Sequence, residues 1–361
     1  MAFNLEMYPI SYIARYNPQT NSWDEEWIES DTIPYNELLT MEEDERQKVF
    51  AHRNQLGIPA VSYTSQYGYG CFEGMKAYPR KDGKISIFRP DQNARRFKKS
   101  MEGLYCPAFP EEMYIKASCE FIRRNAALGY VPAYNSQWEE NNYASASAVY
   151  MRPYMNSEAA IGIGISKEPY VVICATSVST YFKGGNTKAI TTNRIRATPN
   201  GTGWIKCASN YVISTLAKKE AEEAGFMEVV YLDAVERKYI QEGSSCNIFF
   251  LMQDGTLVTP ELGDTILPGI TRASIIDLAR QQGQKVEERP ISIEEVMDSG
   301  MECFVTGTAA GITPIESITH NGVERVFNNR KPGELGERLQ KQLKGIQYGA
   351  IEDTKNWNLI L

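Results

Sequence analysis

Three features of this chain could do chemistry together: a lysine, an acid and a turn that opens a helix. The acid is Glu242, in the run Glu242-Gly243-Ser244-Ser245-Cys246-Asn247-Ile248-Phe249. The turn is Leu267-Pro268-Gly269-Ile270-Thr271-Arg272. The lysine is Lys206, in Gly203-Trp204-Ile205-Lys206-Cys207-Ala208-Ser209-Asn210-Tyr211. A free lysine is protonated near neutral pH, so it attacks an aldehyde only where burial or nearby positive charge favours the neutral amine. A glycine-bearing turn before Lys206 and a helix after it can aim that amine into a cleft. Pro268 to Thr271 deliver free backbone N–H groups and a hydroxyl at a helix start, where the dipole favours an anion. A buried carboxylate at Glu242 can keep a ring nitrogen protonated. By composition Lys206 is one of 38 basic residues; its place in this pattern sets it apart.

An amine, a carboxylate and a phosphate-sized anion site are what a protein needs to hold pyridoxal 5'-phosphate. The pattern resembles the class IV aminotransferases (fold type IV pyridoxal phosphate enzymes), most closely the branched-chain amino acid aminotransferases, from about Tyr63 to Leu361. The resemblance implies that Lys206 is the Schiff-base lysine, that Glu242 pairs with the pyridinium nitrogen and that the Tyr211 hydroxyl bonds the cofactor's O3'. It brings Ser245 to the cofactor and gives the phosphate to Gly269, Ile270 and Thr271. Arg96, in Asn93-Ala94-Arg95-Arg96-Phe97-Lys98-Lys99-Ser100, and Thr308 add donors, while Arg95 should point away.

For substrate, the resemblance implies that Tyr150 and the Thr308-Ala309 turn hold the α-carboxylate, and that Arg152 steers carboxylates. Tyr67 and Phe72 would wall the side-chain pocket. Ser244 and Asn247 can brace their turn by local side-chain to backbone bonds. One departure is visible: where mammalian-type relatives carry a Cys-x-x-Cys pair after the Gly-Thr-Ala turn, this chain has Ala310 and Thr313.

The implied reaction moves the amino group of L-leucine, L-isoleucine or L-valine to 2-oxoglutarate, and back. Two alternatives use the same scaffold: D-amino acid transamination and aminodeoxychorismate lyase chemistry. Tyr150-Met151-Arg152 and Phe72-Glu73-Gly74-Met75-Lys76-Ala77 favour the branched-chain reaction. A non-catalytic cofactor-binding protein is a third alternative, opposed by the presence together of Lys206, Glu242 and Tyr211. Gly68-Tyr69-Gly70 lacks the Rossmann spacing, so no dinucleotide is expected.

Bulk properties narrow the field. The net charge of −7 leaves no basic stretch to displace phosphate counterions, so no nucleic-acid partner is expected. Arg95, Arg96, Lys98 and Lys99 read as a solvated helix face. The seven cysteines have no Cys-x-x-Cys spacing, and the only two histidines lie far apart. No metal site and no disulfide framework are expected, and reduced cytosolic thiols fit. The opening residues carry no basic or apolar leader, and no apolar run reaches membrane-spanning length. A cytoplasmic homodimer, or a larger even assembly, acting on small molecules is the expectation.

With 361 residues, two domains are the natural division. The periodicities give a mixed α/β chain (α+β), and the resemblance makes it a fold type IV aminotransferase. A small α/β N-terminal domain would span 1–182, a linker 183–190 and a larger pseudo-barrel C-terminal domain 191–361. Strands are expected at 60–66, 85–89, 148–153 and 170–176 in the first half, with helices at 93–104 and 111–128. The second half reads as helix 210–224, strand 228–233 and a 246–252/256–259 hairpin across Asp254-Gly255. Helix 271–282, a Ser292 capping box and strand 302–306 follow, in a largely antiparallel lobe.

Overall fold

The computed structural model describes residues 5–179, 187–309 and 311–361. The chain forms two compact units. The first comprises Met1–Tyr181, Ile205–Ser209 and Gly345–Leu361; the second comprises Phe182–Trp204 and Asn210–Lys344. Of the expected linker, residues 183–186 lie outside the described residues, as does Ala310, while Lys188–Thr191 is a strand.

In the first unit one antiparallel sheet runs Asn358–Ile360, Ile85–Phe88, Met75–Pro79, Ala148–Asn156, Tyr170–Val178, Ile10–Asn17, Ser22–Glu29. The short strand Cys71–Phe72 pairs beside it with Ala148–Asn156. Helices Pro90–Gly103 and Glu111–Ala127 belong to the same unit. The second is tied to the sheet by Asn125, whose amide exchanges bonds with the Ile10 backbone at 3.3 and 3.2 Å.

One local expectation is corrected here. Residues 60–66 are not a strand: Tyr63–Tyr67 is one helical turn, closed at its start by a reciprocal Ser62–Ser65 capping box and at its end by Gly68 at φ 66°. Hydroxyl-to-backbone bonds overrode the β-like composition. The hairpin Ile10–Asn17/Ser22–Glu29 adds two strands ahead of those expected from the sequence. Cross-strand partners hold it together: Tyr12 donates to Glu25 at 3.0 Å, Arg15 pairs with Glu26 at 2.6 Å, and Trp23 and Trp27 sit against Tyr16 and Tyr12. Acidic side chains also suit an exposed sheet edge.

The second unit contains two five-stranded sheets. One runs Ile240–Gly243, Glu228–Leu232, Lys188–Thr191, Ser317–His320, Val323–Val326, with its two inner pairings parallel. The other runs Val286–Glu288, Leu257–Thr259, Asn247–Met252, Gly300–Gly307, Gly311–Ile315, parallel only at its first pairing. Antiparallel pairings predominate in the lobe, as expected, with parallel pairings among them. Val230, Ile240 and Ile318 from one sheet and Ile248, Phe250 and Val305 from the other share a single buried core. Two sheets closed over one core fit the expected pseudo-barrel.

The expected helices at 210–224 and 271–282 are Asn210–Glu223 and Ile270–Gln281, with Gly225 and Gly283 in the left-handed region just beyond. Ser292 caps its helix through the Glu295 amide, but the Glu295 carboxylate pairs with Arg289 instead of closing the box.

Candidate active site

The expected site residues fall into two clusters, one inside each unit. In the first unit the Lys206 segment is held as a strand would be. Phe72 N–H donates to the Lys206 carbonyl at 3.1 Å, and Ala208 N–H to the Gly70 carbonyl at 2.8 Å. These bonds frame an antiparallel bridge between Cys71 and Cys207 and put Phe72 opposite Lys206. Lys206 N–H also donates to the Ser100 hydroxyl at 3.1 Å, and Ser100 donates to the Arg96 carbonyl at 2.9 Å. Helix Pro90–Gly103 thereby positions both the lysine backbone and Arg96.

The Lys206 ammonium nitrogen lies 4.9 Å from the Phe72 ring centroid, and the Arg152 guanidinium lies 4.6 Å from the same ring. Arg152 donates to the Tyr150 hydroxyl at 3.0 Å. Its Nε is buried with no hydrogen-bond partner among the described residues, an orphan donor of the kind a bound carboxylate would satisfy. Gly74 is required beside it: a Cβ there would come within 3.0 Å of Tyr150 Cζ and closer still to its hydroxyl. Tyr67, at the end of the helical turn Tyr63–Tyr67, is 47% exposed.

Arg96 is held by Glu73, a fully buried acid that sequence reading passed over. Arg96 Nε and NH2 donate to its two oxygens at 2.7 and 2.8 Å, and Asn93 adds a bond of 2.7 Å. This fork fixes the guanidinium plane. Arg95, one residue away, is exposed, as expected.

In the second unit Glu242 is 3% exposed. One carboxylate oxygen pairs with Arg196 Nε, and the other accepts from Asn247 Nδ2 at 3.1 Å. Arg196 was missed by sequence reading. It sits next but one to Arg194, which makes only an exposed pair with Glu220, and nothing local distinguishes the two. Arg196 also donates to the Thr265 carbonyl at 2.8 Å, and Asn200 N–H bonds Asp264 at 2.5 Å. The stretch preceding Lys206 is thus anchored to the segment that leads into the anion turn.

That turn fits an anion. Gly269 is the N-cap of helix Ile270–Gln281, with no side-chain cap, and Thr271 follows in the first turn. A Cβ at Gly269 would collide with Asn247 Oδ1, so the position is open only to glycine. Uncapped amides at a helix start are what a phosphate needs. Ser245 is exposed on its turn, and a Cβ at Gly307, just ahead of Thr308 and Ala309, would meet the Ser245 carbonyl at 3.9 Å. Tyr211 is half-buried in the first turn of Asn210–Glu223. The expected local bracing by Ser244 and Asn247 takes another form: Ser244 N–H bonds Glu228 at 3.0 Å, and Asn247 reaches across to the Leu267 carbonyl at 3.0 Å.

Residues 70–318 match the family model described as amino-transferase class IV. The chain belongs to the class IV aminotransferases. A branched-chain-amino-acid aminotransferase of Arabidopsis thaliana, named as chloroplastic, is 37% identical over 82% of this chain and 69% of that protein. One from Mycolicibacterium smegmatis is 36% identical over 92% of this chain and 86% of its own length. Among solved structures, a branched-chain amino acid aminotransferase from Escherichia coli superposes with a TM-score of 0.69 at 28% identity, covering 84% of this chain and 93% of that one. As a class IV aminotransferase of fold type IV, the chain is a transaminase whose cofactor is pyridoxal 5'-phosphate. Among its described residues no helix is long and apolar enough to cross a membrane.

Proposed function

We propose that this class IV aminotransferase transfers the amino group of L-leucine, L-isoleucine or L-valine to 2-oxoglutarate, reversibly. The observation that carries the reading is the grouping of Lys206, Phe72, Tyr150 and Arg152. An aromatic ring lies beside the reactive amine, and a half-buried guanidinium with a buried orphan N–H lies over the same ring. Such a pocket accepts an apolar side chain and still orients a carboxylate, as both half-reactions require. The relatives' names agree with that substrate class.

The roles follow from each residue's surroundings. Pyridoxal phosphate, when bound, supplies the electron sink that makes the Cα proton acidic. Lys206 would hold the cofactor until substrate arrives; its freed amine would be the base that takes the Cα proton and returns it two atoms along, as one positioned base can. Glu242, paired with Arg196, serves the ring nitrogen. Tyr211 serves the O3' position, with Ser245 close by. Arg96, Gly269, Ile270, Thr271 and Thr308 take the phosphate. Tyr150, Thr308 and Ala309 take the α-carboxylate, while Tyr67 and Phe72 bound the side chain. We assign the enzyme to the cytoplasm, as a homodimer or larger even assembly.

The test is the visible spectrum of the purified protein with and without L-leucine. The cofactor-bearing protein should absorb in the visible and bleach on adding L-leucine; Lys206→Ala should do neither. A panel of L-leucine, D-alanine and aminodeoxychorismate separates the alternatives, and turnover of either of the last two in preference to the first refutes the substrate reading.

A further inference from the structure

We propose that Asn247 sets the spacing between the acid that serves the cofactor's ring and the turn that serves its phosphate. The proposal rests on the function proposed above and concerns the second unit alone. Asn247 is 6% exposed, and its Nδ2 has two acceptors: Glu242 Oε2 at 3.1 Å and the Leu267 carbonyl at 3.0 Å. Both partners only accept, so the amide orientation is forced, with its NH2 group as the shared donor. The other end of the amide lies against the turn, because Asn247 Oδ1 occupies the space over Gly269 where any other residue would place a Cβ.

The backbone of this bridge is also fixed. Asn247 pairs with Thr306 in the sheet, and the preceding turn is closed by Gly243 N–H donating to the Cys246 carbonyl at 2.8 Å. One side chain therefore ties the carboxylate at Glu242 to the entry of the anion turn and packs against its N-cap. Glu242 and Leu267 cannot move apart without breaking one of two buried hydrogen bonds, the first of them charge-assisted.

This arrangement matters because ring nitrogen and phosphate sit at a separation the cofactor's covalent frame dictates. Joining two weak ligands into one gains affinity only where the two subsites are already held at the matching distance. Asn247 acts through Glu242 and Gly269, so it is a positioning residue. Its removal should cost little to a ligand that fills one subsite, and much to a ligand that must fill both.

The test compares three probes on the cofactor-free protein: pyridoxal 5'-phosphate, pyridoxal and inorganic phosphate. The first two carry the same aldehyde, so the contribution of Lys206 cancels between them. For Asn247→Ala, the dissociation constant of pyridoxal 5'-phosphate should rise about tenfold or more, while those of pyridoxal and phosphate change by less than about twofold. Asn247→Gln keeps the donors on a longer arm and should fall between. Should the alanine protein not fold, Asn247→Ser, too short to span the gap, takes its place.

Equal weakening of all three probes would mean general damage to the fold and would overturn the proposal. Unchanged pyridoxal 5'-phosphate affinity, or a loss confined to one fragment, would overturn it too. Absence of binding by the unsubstituted protein would instead refute the cofactor site itself, so the two failures are distinguishable.

Discussion

Arg196 and Glu242 form an ion pair in which both side chains are almost wholly buried, at 6% and 4% exposure. Asn247 completes the carboxylate's shell, and the Thr265 carbonyl completes part of the guanidinium's. A carboxylate in such a place would take up a proton if it stood alone. Arg196 therefore supplies the opposite charge that a carboxylate buried there needs, and an anion there can stabilise a protonated ring nitrogen.

Replacing Arg196 with Met should strand that charge. We expect a loss of about 3 kcal/mol in unfolding free energy, in the range found when one member of a buried pair is removed. The double variant Arg196→Met/Glu242→Leu should recover most of that stability yet show no transaminase turnover. Chemical denaturation of the single and double variants checks the first part, and a double variant as unstable as the single one contradicts it.

Arg96 and Arg95 are adjacent in sequence, but only Arg96 is gripped by Glu73. Arg96→Ala should weaken pyridoxal 5'-phosphate binding about tenfold or more, Arg95→Ala hardly at all, and Glu73→Gln to an intermediate degree. Cofactor retention on dialysis measures all three. Equal effects at 95 and 96 would show that the wrong arginine was chosen.

Gly74→Ala tests the placement of Tyr150. The added methyl group would crowd the Tyr150 hydroxyl, which would have to shift and so disturb its bond from Arg152. The KM for L-leucine should rise several-fold while the visible spectrum of the bound cofactor is unchanged. A spectrum altered as much as the KM would place Gly74 in cofactor binding instead.

Lys344 gives a prediction in pH. It is 6% exposed, and burial lowers its pKa to about 8 from an ordinary value near 10.5. Below about pH 8 the amine is charged in both states, and the folded protein bears the full cost of burying it. Between about pH 8 and 10.5 the unfolded chain binds more protons than the folded one, so stability rises with pH through this window. Relative to Lys344→Met, the unsubstituted protein should gain up to about 3 kcal/mol across it. Denaturation midpoints of the two proteins at about pH 7.5 and about pH 10, on either side of most of that window, give the answer. Parallel pH dependences would show that the amine is not buried in its charged form.

Much of the site is legible in the chain because its signals are local. Lys206 lies between a glycine-bearing turn and a helix. Gly269 and Thr271 stand at a helix start, and Glu242 opens a tight turn, all at covalent spacings that folding does not change. The helices at 90–103, 111–127, 210–223 and 270–281 were readable for the same reason, from an apolar period of about 3.6 and the residues that end it.

Tertiary structure decided what depends on distant partners. Arg196 and Arg194 look alike in sequence; only folding puts one against a buried acid and leaves the other at the surface. Glu73 became a clamp because helix Pro90–Gly103 brings Arg96 over it. The acidic strand Ser22–Glu29 exists because Arg15, Tyr12 and Tyr16 meet it from across the hairpin. Ile205–Ser209 joined the first unit because Gly70, Phe72 and Ser100 bond its backbone. Residue type and short-range spacing set which chemistry the chain can support. Which charge is desolvated, and which cation meets it there, follows from burial, a property no residue possesses until the chain has folded.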